Sequence, residues 1–336
     1  MSRKFKPPKP LKGIVKQMPA PTLRTGPPLV NAEHAHKVMG KLASEGDFQN
    51  IDELSAHLQR QMASGELDRM MRAEPETPAE RAQELVYRAM DEPSPAKARK
   101  LAEQALKLDP DCVDAMVIRA QSRKLSMDAY IAELLAAVKA GERVLGEERL
   151  REDRGHFWGL IETRPYMRAR RELAMALAAD DKLRDAADEF EGMLELNPND
   201  NQGVRDYLLG IYLALNDLEG AASLFRQYED DGSAVFAWGR VFLLMLLGKR
   251  AEAAKALEEA FRVNRYTPVL FFSSLVPEDP PSWGIGDEDE AEHSAMALLP
   301  AVTEHPDVVV WIGKQAVNMM ERILAEKPLR RKPRVH

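Results

Sequence analysis

The chain has 336 residues, 45% of them hydrophobic but only 6% aromatic, so its apolar content rests on Ala, Leu and Met, a mixture that favours helix over strand. No run approaches the roughly 18 apolar residues that a membrane-spanning helix needs, and the basic N-terminus is Pro-rich where a secretory leader would be apolar. The single cysteine, Cys112, excludes an internal disulfide and a thiolate zinc cluster, and the expectation is a soluble cytoplasmic protein.

Charge is distributed unevenly. Residues 1–30 hold Arg3, Lys4, Lys6, Lys9, Lys12, Lys16 and Arg24 and no acid; residues 327–336 hold Lys327, Arg330, Arg331, Lys332 and Arg334 and no acid. The whole chain is at −7, so what lies between these arms carries a net −19. Such asymmetry bears on partners rather than on fold.

In chain order, residues 1–30 have seven Pro and no helical period, which predicts a disordered basic arm. Residues 31–73 predict two or three short helices, clearest in "FQNIDELSAHLQRQM", followed by a linker at "AEPETP". From residue 79 one design recurs. Ala98, Leu101, Ala102, Ala105 and Leu106 form an i, i+3, i+4, i+7, i+8 stripe, as do Leu183, Ala186, Ala187, Phe190, Met193 and Leu194, and again Ala253, Leu257, Ala260 and Phe261. Asp109-Pro110 and Asn197-Pro198 supply helix stops. Aligning the small residue that opens each second helix gives Ala98, Ala132, Ala186, Ala221 and Ala253, at intervals of 34, 54, 35 and 32.

Paired helices with a period near 34 resemble the tetratricopeptide-repeat family. In the best unit the matching residues are Leu173, Ala174, Leu177, Ala186, Phe190 and Pro198; in the first they are Leu85, Ala98, Ala105 and Pro110, and the units near 113–145, 202–231 and 234–265 depart further. A looser similarity over residues 155–325 ("ETRPYMRAR", "LELNPNDNQGVRDYLL", "GDEDEAEHS") links the chain to a tetratricopeptide-like family. That family includes bacterial proteins and the eukaryotic suppressor-of-tumorigenicity proteins, and it offers no catalytic residue to carry over. The resemblance implies an all-α solenoid in which neighbouring repeats stack into a superhelix with a concave groove. The repeats would span residues 79–265 with an insertion at about 141–163. Capping helices would follow over 266–326, one of them capped by Asp287, and then the basic tail at 327–336.

The stretch "GHFWGLIETRPYMRARREL" spans the end of the insertion and the next repeat. Thr163 is the expected N-cap, with Pro165 in the first turn. Tyr166, Arg170, Leu173 and Leu177 share one helical face, the packing face; Arg164, Arg168, Arg171 and Met175 share another, which in this family looks into the groove. Arg205 would extend that face from the next first helix, and Trp238 would line it further on. An arginine fork binds carboxylates bidentately, so Arg164, Arg168, Arg171 and Arg205, together with Trp238, are the candidate partner contacts. The alternative is internal pairing, of Arg168 with Glu172, Arg171 with Asp206 and Arg170 with Glu162.

Other chemistries are poorly served. His34 and His36 point to nearly opposite faces of a helix, and His57 has no fixed relation to them. Cys112 reads as a small buried residue. Gly284-Ile285-Gly286 follows no strand, so it is no phosphate loop, and the acidic run at 287–290 suits a helix N-terminus better than Ca²⁺. No enzyme activity, cofactor or metal is expected. The function expected is a protein-interaction scaffold that takes a peptide or partner helix in its groove. The alternative is nucleic-acid or ribosome association through the basic arms, whose charge neutralises phosphate.

Overall fold

The computed structural model describes residues 33, 38, 50–65, 69–70, 75–273, 280 and 282–326. The two basic arms, His34 and His36 lie outside the described residues. Fifteen α-helices and two short 3-10 turns make up the described chain, with no strand among the described residues, so the fold is all-α. The helices divide between two compact units, one ending at Gln202 and the other beginning at Gly203.

The first unit contains α1 (Ile51–Ala63), α2 (Pro78–Met90), α3 (Pro95–Leu108), α4 (Val113–Gln121), α5 (Met127–Glu152), α6 (Arg164–Ala179) and α7 (Leu183–Leu196). Local chemistry sets the ends. A capping box opens α2: the Glu80 amide donates to Thr77 Oγ1 at 3.1 Å and the Thr77 amide donates to Glu80 Oε2 at 3.1 Å. Asp109 and Asn197, each before a proline, close α3 and α7.

From α2 to α7 each helix packs on the next, and the first helices of successive pairs also meet, α2 with α4 and α4 with α6. Ala98, Ala186, Ala221 and Ala253 are all buried where the repeat alignment puts them, but Ala132 is exposed. In α5 the i, i+4, i+7 stripe instead begins at Leu134 and continues through Val138 and Gly141, two residues later than the alanine alignment expects. Gly141 sets this register, because a Cβ there would meet Tyr166 Cδ2 at 2.7 Å.

The expected insertion lengthens this helix. α5 runs to Glu152 through a break at Gly146 (φ 74°, ψ 159°), which an L side chain would strain. The chain then turns through 3-10 segments at Phe157–Gly159 and Ile161–Thr163. Thr163 takes the expected N-cap position of α6, with Pro165 in the first turn, but its side chain makes no capping bond. Its hydroxyl points back to the carbonyls of Phe157 and of Leu160 (2.8 Å), which also accept the backbone amides of Leu160 and Thr163.

The second unit contains α8 (Val204–Ala214), α9 (Leu218–Gln227), α10 (Ala234–Leu246), α11 (Arg250–Val263), α12 (Thr267–Phe271), α13 (Glu288–Ala297), α14 (Leu299–Glu304) and α15 (Pro306–Glu326). The stretch expected to give two or three capping helices gives four among its described residues, and they do more than extend the array. α13 packs on α8 and α10, and α14 packs on α8. Asp287 caps α13, accepting from the Glu290 amide at 2.7 Å. Glu290 itself turns inward, fully buried, and accepts from the amides of Ala234 (3.0 Å) and Gly286 (2.7 Å) and from Asn264 Nδ2 (3.0 Å). Ala234 is the first residue of α10, so the carboxylate also meets the positive end of that helix. α8 and α13 touch backbone to side: a Cβ on Gly210 would lie 1.9 Å from the Ala297 carbonyl oxygen.

That contact separates two glycine substitutions. Gly210→Ala forces two helix backbones apart and should cost about 3 kcal/mol or more. Gly192→Ala meets only the far end of Arg170, at 2.5 Å, and should cost about 1 kcal/mol. Chemical denaturation of the two variants checks this; equal costs would contradict the α8–α13 approach.

Candidate functional site

The side of α6 that carries Arg164, Arg168, Arg171 and Met175 is partly exposed, whereas Tyr166, Leu173 and Leu177 on the other face are buried. Arg170 belongs to the packing side. Its Nε donates to Glu189 Oε2 at 2.7 Å, not to Glu162, and its guanidinium fills the space over Gly192.

Arg168 is the centre of the exposed face. Its Nε and Nη2 donate to Asp114 Oδ1 (2.8 Å) and Oδ2 (2.6 Å), a bidentate fork onto a carboxylate whose side chain is only 1% exposed. Asp114 sits in the first turn of α4, at the positive helix end, and also accepts from Gln83 Nε2 of α2 at 3.0 Å. A polar ladder therefore runs α2–α4–α6 through Gln83, Asp114 and Arg168. A second rung joins α4 to α6, Gln121 Nε2 donating to Glu172 Oε2 at 2.9 Å.

The remaining edge of Arg168 faces a second acid. Nη1 donates to Glu33 Oε1 at 2.6 Å, and Arg164 Nη1 stands 3.6 Å from the same oxygen. Arg164 is held in place by its Nε bond to the Trp158 carbonyl (3.0 Å) and lies over the Trp158 ring at 5.1 Å. Two guanidiniums from one helix face thus converge on one carboxylate.

Burial shapes the protonation of the surrounding groups. It opposes the charge of Arg168, but Asp114 and then Glu33 outweigh it and hold the guanidinium ionised. Burial first, then the Glu33 charge, pushes the Tyr87 hydroxyl above the usual phenol range. Burial, then Asp114, pushes the Cys112 thiol up to about 12.

The other expected contacts lie elsewhere. Arg171 Nη1 stands 3.6 Å from Glu172 Oε1 on the exposed face of α6. Arg205, in the second unit, donates through Nε to Asp231 Oδ2 at 2.8 Å and stacks over Tyr228 at 5.0 Å. Trp238 lines no surface: its ring is fully buried among α10, α11 and α12, edge-on to Phe261 (5.1 Å) and Phe271 (5.7 Å), and its Nε1 donates to the Asn264 carbonyl at 3.1 Å. An indole with a satisfied N–H is a core anchor. Asp206 faces His293 Nε2 at 2.8 Å within the second unit, where Trp283 stacks on the imidazole at 5.4 Å.

Gln83 and Asp114, which complete the ladder, and Glu33, which meets Arg168 beside it, are absent from the residues singled out in the sequence. Comparison with known protein families finds no match to the chain, and comparison with curated proteins finds no similar sequence.

The raised Cys112 pKa has a defined sign. The unfolded chain loses the thiol proton near the ordinary value of 9.0 and the folded chain keeps it to about 12. Stability from this group is complete below pH 9.0 and declines from there to about 12. In Cys112→Ala the fall in unfolding free energy over that range should be shallower by up to about 1.4 kcal/mol per pH unit. Denaturant titrations across the range test it, and an unchanged slope would refute the burial argument.

Proposed function

We propose that this chain is a non-catalytic interaction scaffold, built from tetratricopeptide-like helix pairs, that takes an acidic peptide or partner helix on the first-helix face of α2, α4 and α6. The observation carrying this reading is the convergence of Arg164 and Arg168 on a single carboxylate oxygen, at 3.6 and 2.6 Å. An arginine pair directed at one carboxylate, on a face that stays partly exposed, is chemistry suited to binding an acidic segment. The succession of helix pairs supports it, since stacked repeats present their first helices side by side. A reducing cytoplasm suits a chain whose one thiol is free and buried.

Charge reversal at Arg168 is a poor probe, because it would set three acids against one another around Asp114. A photo-crosslinking residue at Met175, on the same face, avoids that problem, with one at the exposed Glu103 of α3 as control. In nuclease-treated source lysate at physiological salt, the Met175 position should capture a partner that the Glu103 position does not. Equal capture from both positions, or none from Met175, would contradict the proposal; capture lost on nuclease treatment would move the function to the basic arms.

A further inference from the structure

An ionisable pair joins α13 to α8. Asp206, in the first turn of α8, and His293 of α13 are both buried, with Asp206 Oδ2 at 2.8 Å from His293 Nε2. Asp206 Oδ1 is buried as well and has no hydrogen-bond partner among the described residues. Rings bracket the imidazole: Trp283 stacks on it at 5.4 Å and Tyr207 stands edge-on at 5.7 Å.

A buried pair of this kind costs least when it has no net charge. That requires one shared proton, held either as carboxylate and imidazolium or as carboxylic acid and imidazole. Losing the proton leaves a carboxylate out of water, with one oxygen unbonded, beside a neutral ring. The surroundings oppose that extra negative charge. On α13, Asp289 and the fully buried Glu290 stand one turn before His293, and Glu292 is next to it. On α8 the one cation, Arg205, is paired with Asp231 at 2.8 Å, and the other ionisable groups are Tyr207 and Tyr212. Of the other helices packed on α13, α10 carries only Arg240, exposed over Phe225 at 4.7 Å, α12 carries no ionisable side chain, and α14 carries only the exposed Glu304. The indole face of Trp283 favours an imidazolium.

We infer that Asp206 and His293 form a proton-operated clamp, which fastens α13 to α8 while it holds the shared proton and loosens as rising pH removes it. In the unfolded chain a histidine gives up its proton near about pH 6.5, and the folded pair keeps it to higher pH. The stability that the clamp contributes is therefore complete below about pH 6.5 and declines as the pH rises through the value at which the folded pair lets go.

Hydrogen exchange of the full chain, read by mass spectrometry over about pH 6 to 8.5 and corrected for the intrinsic exchange rate, tests the clamp. This range ends below 9.0, where Cys112 begins to contribute. In wild type the protection of α13 should fall by up to about tenfold per pH unit above about 6.5, one proton being lost on opening, and α7 of the first unit should not follow. His293→Gln should remove the dependence. Asp206→Asn should remove or invert it, because without the carboxylate burial favours the neutral ring. A merely structural contact predicts lower protection in both variants with the wild-type dependence kept. Flat α13 protection in wild type overturns the clamp, and so does a slope that survives either substitution. If neither variant folds, wild type decides: a fall confined to α13 and α8 upholds the clamp, and a fall shared with α7 overturns it.

Discussion

The fork from Arg168 to Asp114 is the contact that the first unit depends on. Both oxygens of a carboxylate that is almost wholly out of water are taken by one planar guanidinium at 2.8 and 2.6 Å. Such a pair is not a cheap source of stability, because desolvating two charges offsets much of their attraction. Its value is geometric. A planar fork accepts one orientation, so it fixes how far α6 slides and rotates against α4. Stacking of first helices by apolar side chains alone would tolerate several registers, and the polar ladder from Gln83 through Asp114 to Arg168 permits one.

That constraint bears on the long interval between the second and third helix pairs. The chain extends α5, breaks it at Gly146, and returns through two 3-10 turns. The connector then places Trp158 where its carbonyl and ring hold Arg164, so the added length also supplies the second cation of the site. The second unit uses its first helices differently. There α13 and α14 lie on α8 and α10, closed by the Gly210–Ala297 approach and by the hydrogen bonds around Glu290. The exposed first-helix chemistry therefore belongs to the first unit, and Arg205 and Trp238 act within the packing of the second.

Much of the fold was legible because helix periodicity is local. The stripes around Ala98, Ala186 and Ala253, the prolines after Asp109 and Asn197, and the split of α6 into a buried and a polar face all follow from spacing within about two turns. The alignment erred at Ala132, where a short apolar stripe can begin at either of two nearby small residues and only contact with Tyr166 at Gly141 decides. Thr163 holds the N-cap position read from the sequence, but its hydroxyl serves the carbonyls of the preceding 3-10 turns and not an amide of the helix, which spacing alone does not show. Trp238 was misread because helical phase alone does not say which side of a first helix a later segment will cover.

The site was half legible. Arg164, Arg168 and Arg171 share a face by arithmetic, but no spacing singles out Asp114, which lies in the first turn of α4 while Arg168 lies one turn into α6. Nothing local points to Glu33, since a contact over 135 residues outside the repeats leaves no periodic trace. The most direct measurement is a double-mutant cycle between Asp114→Ala and Arg168→Ala, read by equilibrium unfolding. A register-setting buried pair predicts a coupling of about 2–3 kcal/mol. A coupling below about 0.5 kcal/mol, with the two losses simply adding, would show that α4 and α6 stack without the ion pair and would contradict the account.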